Sequence, residues 1–181
     1  MFVLLFVSAC TKKKTSDNLS SSKDSLITYL DLANDINLSY ELKQQNAKKA
    51  FSIVNSQEND SLYRVNLFKI ANRYYNMNDF KSYRDISQLA LERSITGKDS
   101  ASAAKAYSYL GDYYSSAAIS DSAYRHYFKA QKIYTQINDD LNLAKTLISK
   151  ANLQFNEGDF FESEIGVFKA LEILKNENNV N

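Results

Sequence analysis

Apolar and small side chains recur every three or four residues through the middle of the chain, a spacing that gives a helix one buried face. The segment Tyr107–Tyr114 places such residues at i, i+3, i+4 and i+7, and the segment Ala123–Ala130 repeats them at i, i+4 and i+7. Between the two segments, Ser120 and Asp121 can cap the start of a second helix. The pattern predicts two amphipathic helices joined by a tight turn, with small residues where the backbones approach closely.

The same unit recurs at a fixed spacing. Ala71, Gly111 and Ala151 are 40 residues apart, and other positions follow them without a gap in register. A fixed period of this size is typical of stacked repeat proteins. We therefore expect an all-α fold, an α-solenoid of stacked antiparallel helix pairs. The other aligned sets are Leu67, Tyr107 and Leu147; Ala90, Ala130 and Ala170; and the turns Asn78–Phe80, Ala118–Ser120 and Gly158–Phe160.

The repeated unit resembles the tetratricopeptide (TPR) repeat. The first repeat departs from that family at Tyr83 and Ser87, where the family has a small residue and an aromatic, and the third has Lys150 and Gln154 at expected apolar positions. The period of 40 exceeds the usual 34, and we expect the extra length in an elongated second helix and the loop after it. The middle repeat matches the template best, with Tyr107, Leu110, Gly111, Tyr114, Ala123, Tyr127 and Ala130, and lacks only the final proline.

The pattern and the composition divide the chain into four parts. Residues 61–181 hold three repeats, at about 61–100, 101–140 and 141–176. Residues 24–60 predict a degenerate N-terminal hairpin, with Asp31 at a small-residue position, that caps the array. Residues 11–23 are rich in Ser, Lys and Asp and predict a flexible tether. Residues 1–10 are apolar and end at the only cysteine, Cys10.

The N-terminal segment predicts a membrane anchor. The nine residues before Cys10 are too few to span a bilayer, which needs about 20. The sequence VSAC at residues 7–10 resembles the bacterial lipobox. The resemblance implies that residues 1–10 are a signal peptide, that Cys10 is lipidated, and that the chain faces the periplasm from the outer or inner membrane. Because no Lys or Arg precedes the run, which is short for a signal peptide, a clipped anchor or chance remains the alternative.

The residues for catalysis are missing from the sequence. The net charge is +1 with mixed signs, so no broad basic surface for nucleic acid is predicted. The single histidine, His126, lies on a predicted helix beside Arg125, and we expect it to be solvated. No carboxylate or histidine cluster has metal-ligand spacing, and there is no glycine-rich phosphate loop. We expect no enzyme activity, no cofactor and no metal.

A protein-binding role follows from the TPR resemblance. In that family the first helices of successive repeats line a concave groove, and Asn at the position of Asn72 and Asn152 often holds a peptide backbone. Phe68 occupies a position where chaperone-binding members place a carboxylate clamp, so that specificity is not implied. The alternative for each position is a solvated polar face. The implied groove residues are Phe68, Asn72, Tyr75, Asn76, Lys105, Ser108, Asp112, Ser115, Lys145, Ile148, Asn152 and Phe155.

Two functions remain open at this point. In the first, the chain is a membrane-anchored scaffold that binds a peptide or protein partner in the cell envelope. In the second, it is the sensory region of a longer signal-transduction protein, a histidine kinase or a helix-turn-helix regulator, of which this chain is a fragment. The last predicted helix also carries more apolar residues than one face can bury, so we expect an exposed edge there, to be covered by further chain, a second copy or a partner.

Overall fold

A computed structural model describes residues 24–178, with side chains over residues 24–175. The predicted lipidation site Cys10 and the predicted tether over 11–23 lie outside these residues. The described part contains only helices and no strand, and consecutive helices from α3 onward pack against each other, so the predicted all-α solenoid is confirmed. The helices are α1 (24–32), α2 (Tyr40–Asn55), α3 (Ser61–Asn76), α4 (Phe80–Thr96), α5 (Ser100–Ser116), α6 (Ser120–Ile137), α7 (Asp140–Asn156) and α8 (Phe160–Asn178).

The contacts divide the chain into two compact units, with the boundary between Gln57 and Glu58. In the first unit, α1 and α2 occupy the segment predicted as a degenerate hairpin. Lys49 on α2 places its Nζ 5.3 Å from the ring centroid of Tyr29 on α1. Asp31 is exposed, so its carboxylate remains hydrated. The buried apolar residues of this unit are Leu26, Leu30, Ala33, Ala47, Ala50 and Val54.

The second unit stacks three helix pairs, α3–α4, α5–α6 and α7–α8. Their second helices begin at Phe80, Ser120 and Phe160, which are 40 residues apart. The first helices also contact one another, α3 with α5 and α5 with α7, so they stand side by side. All complete helices of this unit have nearly equal length, from 16 residues in α3 to 18 in α6. The second helix is only one residue longer than the first in each of the two complete pairs, so the extra length is shared by both helices and is not confined to the second helix and the loop after it, as we predicted.

Each turn in the second unit has the same construction. The residue two positions before the next helix has a positive φ, between 52° and 58° in the four non-glycine cases and 83° in Gly158. The residue after it is usually an aspartate whose carboxylate accepts the backbone N–H three residues on, as Asp99 does from Ser102 at 3.0 Å. Helix α6 is the exception, because the turn places Ile119 at that position and no side chain caps the helix. The caps predicted at Ser120 and Asp121 are therefore wrong, since both residues lie inside α6.

The close helix approach predicted at Gly111 is confirmed. A Cβ on Gly111 would lie 2.5 Å from two ring carbons of Tyr127, so α5 has no room for a larger residue there. In the third pair the arrangement is reversed. Ala151 occupies the α7 position equivalent to Gly111, and the glycine is Gly166 on α8, where a Cβ would lie 3.1 Å from that of Ala151. The sequence analysis did not identify Gly166, because it falls outside the repeated small-residue positions.

His126 is not a solvated surface residue. Its ring stacks on Tyr114 with 4.9 Å between centroids, and its Nδ1 lies 2.7 Å from the carbonyl oxygen of Ser122. Tyr107 lies on its other side at 6.1 Å. Burial lowers the pKa of His126. The prediction was wrong because two long tyrosines of α5 extend over this part of α6, which helix spacing alone does not show.

A buried ion pair joins the first two helix pairs. Arg64 on α3 is 6% exposed, and its Nε donates to Asp99 at 2.9 Å, immediately before α5. One terminal nitrogen donates to both the backbone and the side-chain oxygen of Asn59, each at 3.0 Å. Gly97 lies against the guanidinium, where a Cβ would come within 2.6 Å. Because Asp99 also caps α5, one carboxylate fixes both the helix start and the position of the neighbouring repeat.

The expected apolar edge on α8 is present. Within the described chain, the side chains of Phe161 and Phe168 are 71% and 61% exposed. Leu91 on α4 is 7% exposed, whereas Leu171, its equivalent on α8, is 54% exposed. Ile173 and Leu174 instead pack against a core cluster formed by α5 to α8. The exposed members of the edge are Phe160, Phe161, Val167, Phe168 and Leu171.

Candidate partner-binding face

One side of each of the helices α3, α5 and α7 forms the candidate site. Residues spaced three, four and three positions apart lie on one side of each of these helices, and the contacts of α5 with α3 and α7 bring the three sides together. We call this surface the first-helix face. Its members are Val65, Phe68, Asn72 and Tyr75 on α3, Lys105, Ser108, Asp112 and Ser115 on α5, and Lys145, Ile148, Asn152 and Phe155 on α7.

A polar pocket of about 270 Å³ lies in the middle of this face. The structure brings four predicted groove residues together in it: Lys105, Ser108 and Asp112 from α5 and Lys145 from α7. Sequence analysis missed the rest of the lining, because those residues lie on α6 or on α5 and α7 outside the expected inward positions. They are Tyr109, Tyr134, Asn142, Thr146 and Ser149.

Two lysines give the pocket its positive charge. The Lys105 Nζ lies 4.9 Å from the ring centroid of Phe68 and 5.8 Å from that of Tyr109, so aromatic faces hold the ammonium group in place. Burial lowers the pKa of Lys105, and the positive charge of Lys145 lowers it further. The described part of the chain supplies no carboxylate in an ion pair with either lysine.

Asp112 lies at the side of the pocket and accepts hydrogen bonds from three helices. The Tyr127 hydroxyl donates to it at 2.8 Å from α6, and the hydroxyls of Tyr83 on α4 and Ser149 on α7 also donate. Burial raises the pKa of Asp112 to about 6, although these hydrogen bonds act to lower it. Asp112 is therefore a connecting residue between repeats as well as part of the pocket. The departure from the TPR pattern at Tyr83 is explained here, since its aromatic ring reaches α5 from the preceding turn of α4.

Hydroxyl groups also connect α5 to α7. The Ser108 and Thr146 oxygens are 3.1 Å apart, and Thr146 donates to the carbonyl oxygen of Asn142 at 2.8 Å. Tyr134 forms a side-chain hydrogen bond with Ser108 from beneath. These bonds fix the distance between the two helices and so the width of the pocket.

Phe68 is a correction to the predicted groove. It is 2% exposed, because Lys105 covers its face and Tyr109 packs edge-on against it with 5.3 Å between centroids. Phe68 therefore supports the face from below and does not contact solvent. Asn72 is exposed and shares a side-chain hydrogen bond with Tyr109. Asn76 is also exposed, at the end of α3.

Exposed aromatic groups lie on the two outer helices of the face. Tyr75 at the end of α3 is 43% exposed and packs edge-on against Tyr83 with 5.2 Å between centroids. Phe155 at the end of α7 is 58% exposed and packs edge-on against Phe160 at 5.2 Å. Asn152, one turn before Phe155, is exposed as predicted. The face thus offers aromatic, amide and ammonium groups in one array.

Other sites in the described chain are less suited to binding. A second pocket of about 290 Å³ is lined by Phe80, Arg84 and Tyr113, among others, but its arginine already pairs with Asp85 at 2.7 Å. Over the described residues, no group of three or more His, Cys, Asp and Glu side chains is placed to hold a metal ion. No helix in the same range is both long and apolar enough to cross a membrane.

Comparison with known proteins supports the fold class. No protein-family profile matches the chain, and no curated protein matches it. Among solved structures, the crystal structure of BtubC (BKLC) from P. vanneervenii is similar, with a TM-score of 0.64 and 16% sequence identity. The similarity covers 93% of this chain and 75% of that one. At this identity the likeness concerns the all-helical repeat architecture alone.

Proposed function

We propose that the chain is a TPR-type scaffold that binds an extended peptide segment of a protein partner along the first-helix face. The observation that carries the proposal is the polar pocket, where Lys105 and Lys145 from neighbouring repeats meet without an ionic partner in the described chain. An ordinary surface lysine extends into water away from other lysines. Here aromatic rings hold Lys105, and the packing of α5 against α7 brings Lys145 to the same pocket.

The rest of the face suits a peptide rather than a small molecule. Tyr75 and Phe155 lie at the two outer helices and expose apolar surface, which favours contacts with side chains along an extended segment. Asn72 and Asn152 are exposed amides, and an amide both donates to and accepts from a peptide group. A pocket of about 270 Å³ accommodates one side chain, not a whole ligand of drug size.

The proposal includes a lipid anchor at Cys10, which places the scaffold on a membrane of the cell envelope. The support for it is the VSAC sequence and the apolar run before it. Each buried methylene adds roughly 0.8 kcal/mol to membrane binding, and two or more acyl chains hold firmly where one does not. Wild-type protein should therefore be labelled by a fatty-acid probe and sediment with membranes, whereas Cys10→Ser should remove both properties. An unlabelled, soluble wild type would exclude the anchor and leave the binding face unaffected.

Selection of random displayed peptides on the immobilised full chain tests the binding face. We expect the enriched peptides to bind Phe155→Glu and Tyr75→Glu at least about tenfold more weakly than wild type, because a charge replaces an apolar contact. The matched control is Phe128→Glu on α6, whose side chain is 62% exposed outside this face. Enriched peptides that lose binding with Phe128→Glu but keep it with the other two variants would place the site elsewhere. Failure to enrich any peptide would reject the proposal.

A further inference from the structure

The central pocket has an excess of positive charge that its own residues do not neutralise. Lys105 and Lys145 contribute two ammonium groups, and Asp112 is the carboxylate in the lining. Asp112 is engaged by the hydroxyls of Tyr127, Tyr83 and Ser149, which leaves the two lysines without an anion in the described chain. With Asp112 ionised, the side chains that line the pocket carry a net charge of +1.

Uncharged polar side chains surround the lysines in the pocket. The hydroxyls of Ser108, Thr146 and Ser149 line it, together with the Asn142 amide. Their protons are already used within the fold: Ser149 donates to Asp112, and Thr146 donates to the carbonyl oxygen of Asn142. Ser108 is left to donate to Thr146, and the Asn142 amide donates to Asp139. The two ammonium groups are therefore the donors for an oxygen anion, whose lone pairs accept several hydrogen bonds at once. The surrounding burial strengthens each of these interactions, because the local dielectric constant is lower than that of water.

We propose that this pocket binds the carboxylate side chain of an aspartate or glutamate in the partner segment, held between Lys105 and Lys145. The inference rests on the proposed function and adds the chemical class of the residue at the centre of the bound segment. The lysines come from neighbouring repeats, so one carboxylate joins α5 to α7 as well as partner to scaffold. The apolar surface of Tyr75 and Phe155 on the outer helices takes the flanking residues of the segment.

The charge balance favours a carboxylate over a phosphate. A single carboxylate neutralises the one excess positive charge, whereas a phosphate group carries about −1.5 to −2 at neutral pH and is repelled more strongly by Asp112. The pocket contains no arginine, the side chain whose planar fork matches phosphate geometry. Both anions share the same donors, so an experiment with both must separate them.

The test uses the full chain and the strongest peptide from the selection on it. We expect an acidic residue at one fixed position of the enriched peptides, and about tenfold weaker binding by isothermal titration when that residue is changed to its amide. The double variant Lys105→Met/Lys145→Met should bind the acid and amide forms of the peptide with affinities that differ by no more than about twofold. The matched control is Lys132→Met on α6, an exposed lysine outside the pocket, which should bind like wild type.

A charge reversal provides the second arm. Lys145→Glu should weaken the acidic peptide by more than tenfold and should bind a peptide with lysine at the acidic position better than wild type does. Enriched peptides that bind equally well as acid and amide would overturn the inference while leaving the binding face intact. Tighter binding of a phosphoserine peptide than of the acidic one would overturn the carboxylate assignment. Absence of any enriched peptide would remove both the inference and the proposed function.

Discussion

The aromatic ring of Tyr127 occupies the space that a side chain at position 111 would need. A Cβ built on Gly111 would lie only 2.5 Å from two carbons of that ring. Tyr127 is 2% exposed and its hydroxyl donates to Asp112, so the ring is held at both ends. We predict that Gly111→Ala lowers the free energy of unfolding by about 1–3 kcal/mol, the usual cost of overpacking. We expect this loss even though alanine stabilises a helix interior by about 0.5–1 kcal/mol relative to glycine. Urea melts measure the difference.

A double-mutant cycle isolates the steric origin of that cost. Tyr127→Leu removes the ring, so Gly111→Ala in that background should be neutral or stabilising. An equal loss in both backgrounds would mean that the two residues do not clash.

His126→Ala should lower the free energy of unfolding by about 0.5–1.5 kcal/mol in urea melts, because the His126 ring stacks on Tyr114 and aromatic pairs contribute about this much.

Asp99 and Asp139 occupy equivalent turns and differ in their side-chain partners, because Asp139 accepts from the Asn142 amide at 3.0 Å and 2.8 Å whereas Asp99 accepts from Arg64. Both cap a helix by accepting a backbone N–H three residues on, at 3.0 Å and 3.1 Å. Only Asp99 also pairs with a buried arginine, because Ala104 stands at the position equivalent to Arg64 in the next repeat. We predict that Asp139→Ala costs about 1 kcal/mol, a typical cap loss. Asp99→Ala should cost about 3–5 kcal/mol, since it also leaves Arg64 buried without its partner. Equal losses in thermal melts would show that the ion pair contributes nothing.

Asp112 should make the fold less stable as pH rises, whereas a carboxyl group with a lowered pKa does the reverse. Its pKa is raised from an ordinary 3.8 to about 6 in the folded chain, so folding favours the protonated form. The stability from this carboxyl is fully present below about pH 4 and is lost as pH rises through about 6, a change of about 3 kcal/mol at most. Asp112→Asn keeps an acceptor for Tyr127 without the charge. We predict that its stability relative to wild type rises between about pH 4 and 6 and is constant above.

The comparison with Asp112→Asn is needed because other groups titrate in the same range. The pKa of Asp99 is lowered in the folded chain, so its contribution is lost as pH falls and opposes that of Asp112. Subtracting the two melting series cancels Asp99 and leaves Asp112. A difference that stays constant between pH 4 and 7 would show that Asp112 remains ionised in the fold.

The repeat architecture was predictable from sequence because it depends on short-range spacing. Small residues at 71, 111 and 151 and turns 40 residues apart are visible in one chain, and backbone geometry converts them directly into helices and turns. Side-chain reach was not predictable in the same way. Tyr109 covers Phe68, and the tyrosines of α5 enclose His126, because an aromatic ring extends across to a neighbouring helix.

The candidate site was predictable in part for the same reason. Lys105 and Asp112 share a face of α5 by spacing, Lys145 has the position on α7 equivalent to Lys105, and the structure brings the three together. The ion pair of Arg64 with Asp99 joins residues 35 positions apart and has no equivalent in the other repeats, so no repeated pattern in the sequence indicated it. Glu157 accepts a hydrogen bond from the Tyr124 hydroxyl at 2.8 Å across 33 positions, and no spacing in the sequence indicated this contact.

The apolar edge of α8 predicts self-association or dye binding by the isolated chain. Phe168→Glu and Leu171→Glu should abolish binding of a hydrophobic dye and any concentration-dependent increase in mass by light scattering, because each adds a charge to the exposed strip. Phe128→Glu, at a singly exposed phenylalanine on α6, should change neither. Wild-type chain that is a monomer and binds no dye would show that the edge needs no further chain, second copy or partner to cover it.

The most direct test of the account is the position from which the natural partner can be crosslinked. A photoreactive phenylalanine analogue at Tyr75, Phe155 or Phe128 changes each side chain little, and all three are exposed. In cells that produce the full chain, illumination should yield the same partner adduct from positions 75 and 155 on the first-helix face, and none from position 128. Adding Lys105→Met/Lys145→Met should reduce that adduct. A partner captured from position 128 and not from the other two would contradict the assignment of the first-helix face as the binding site.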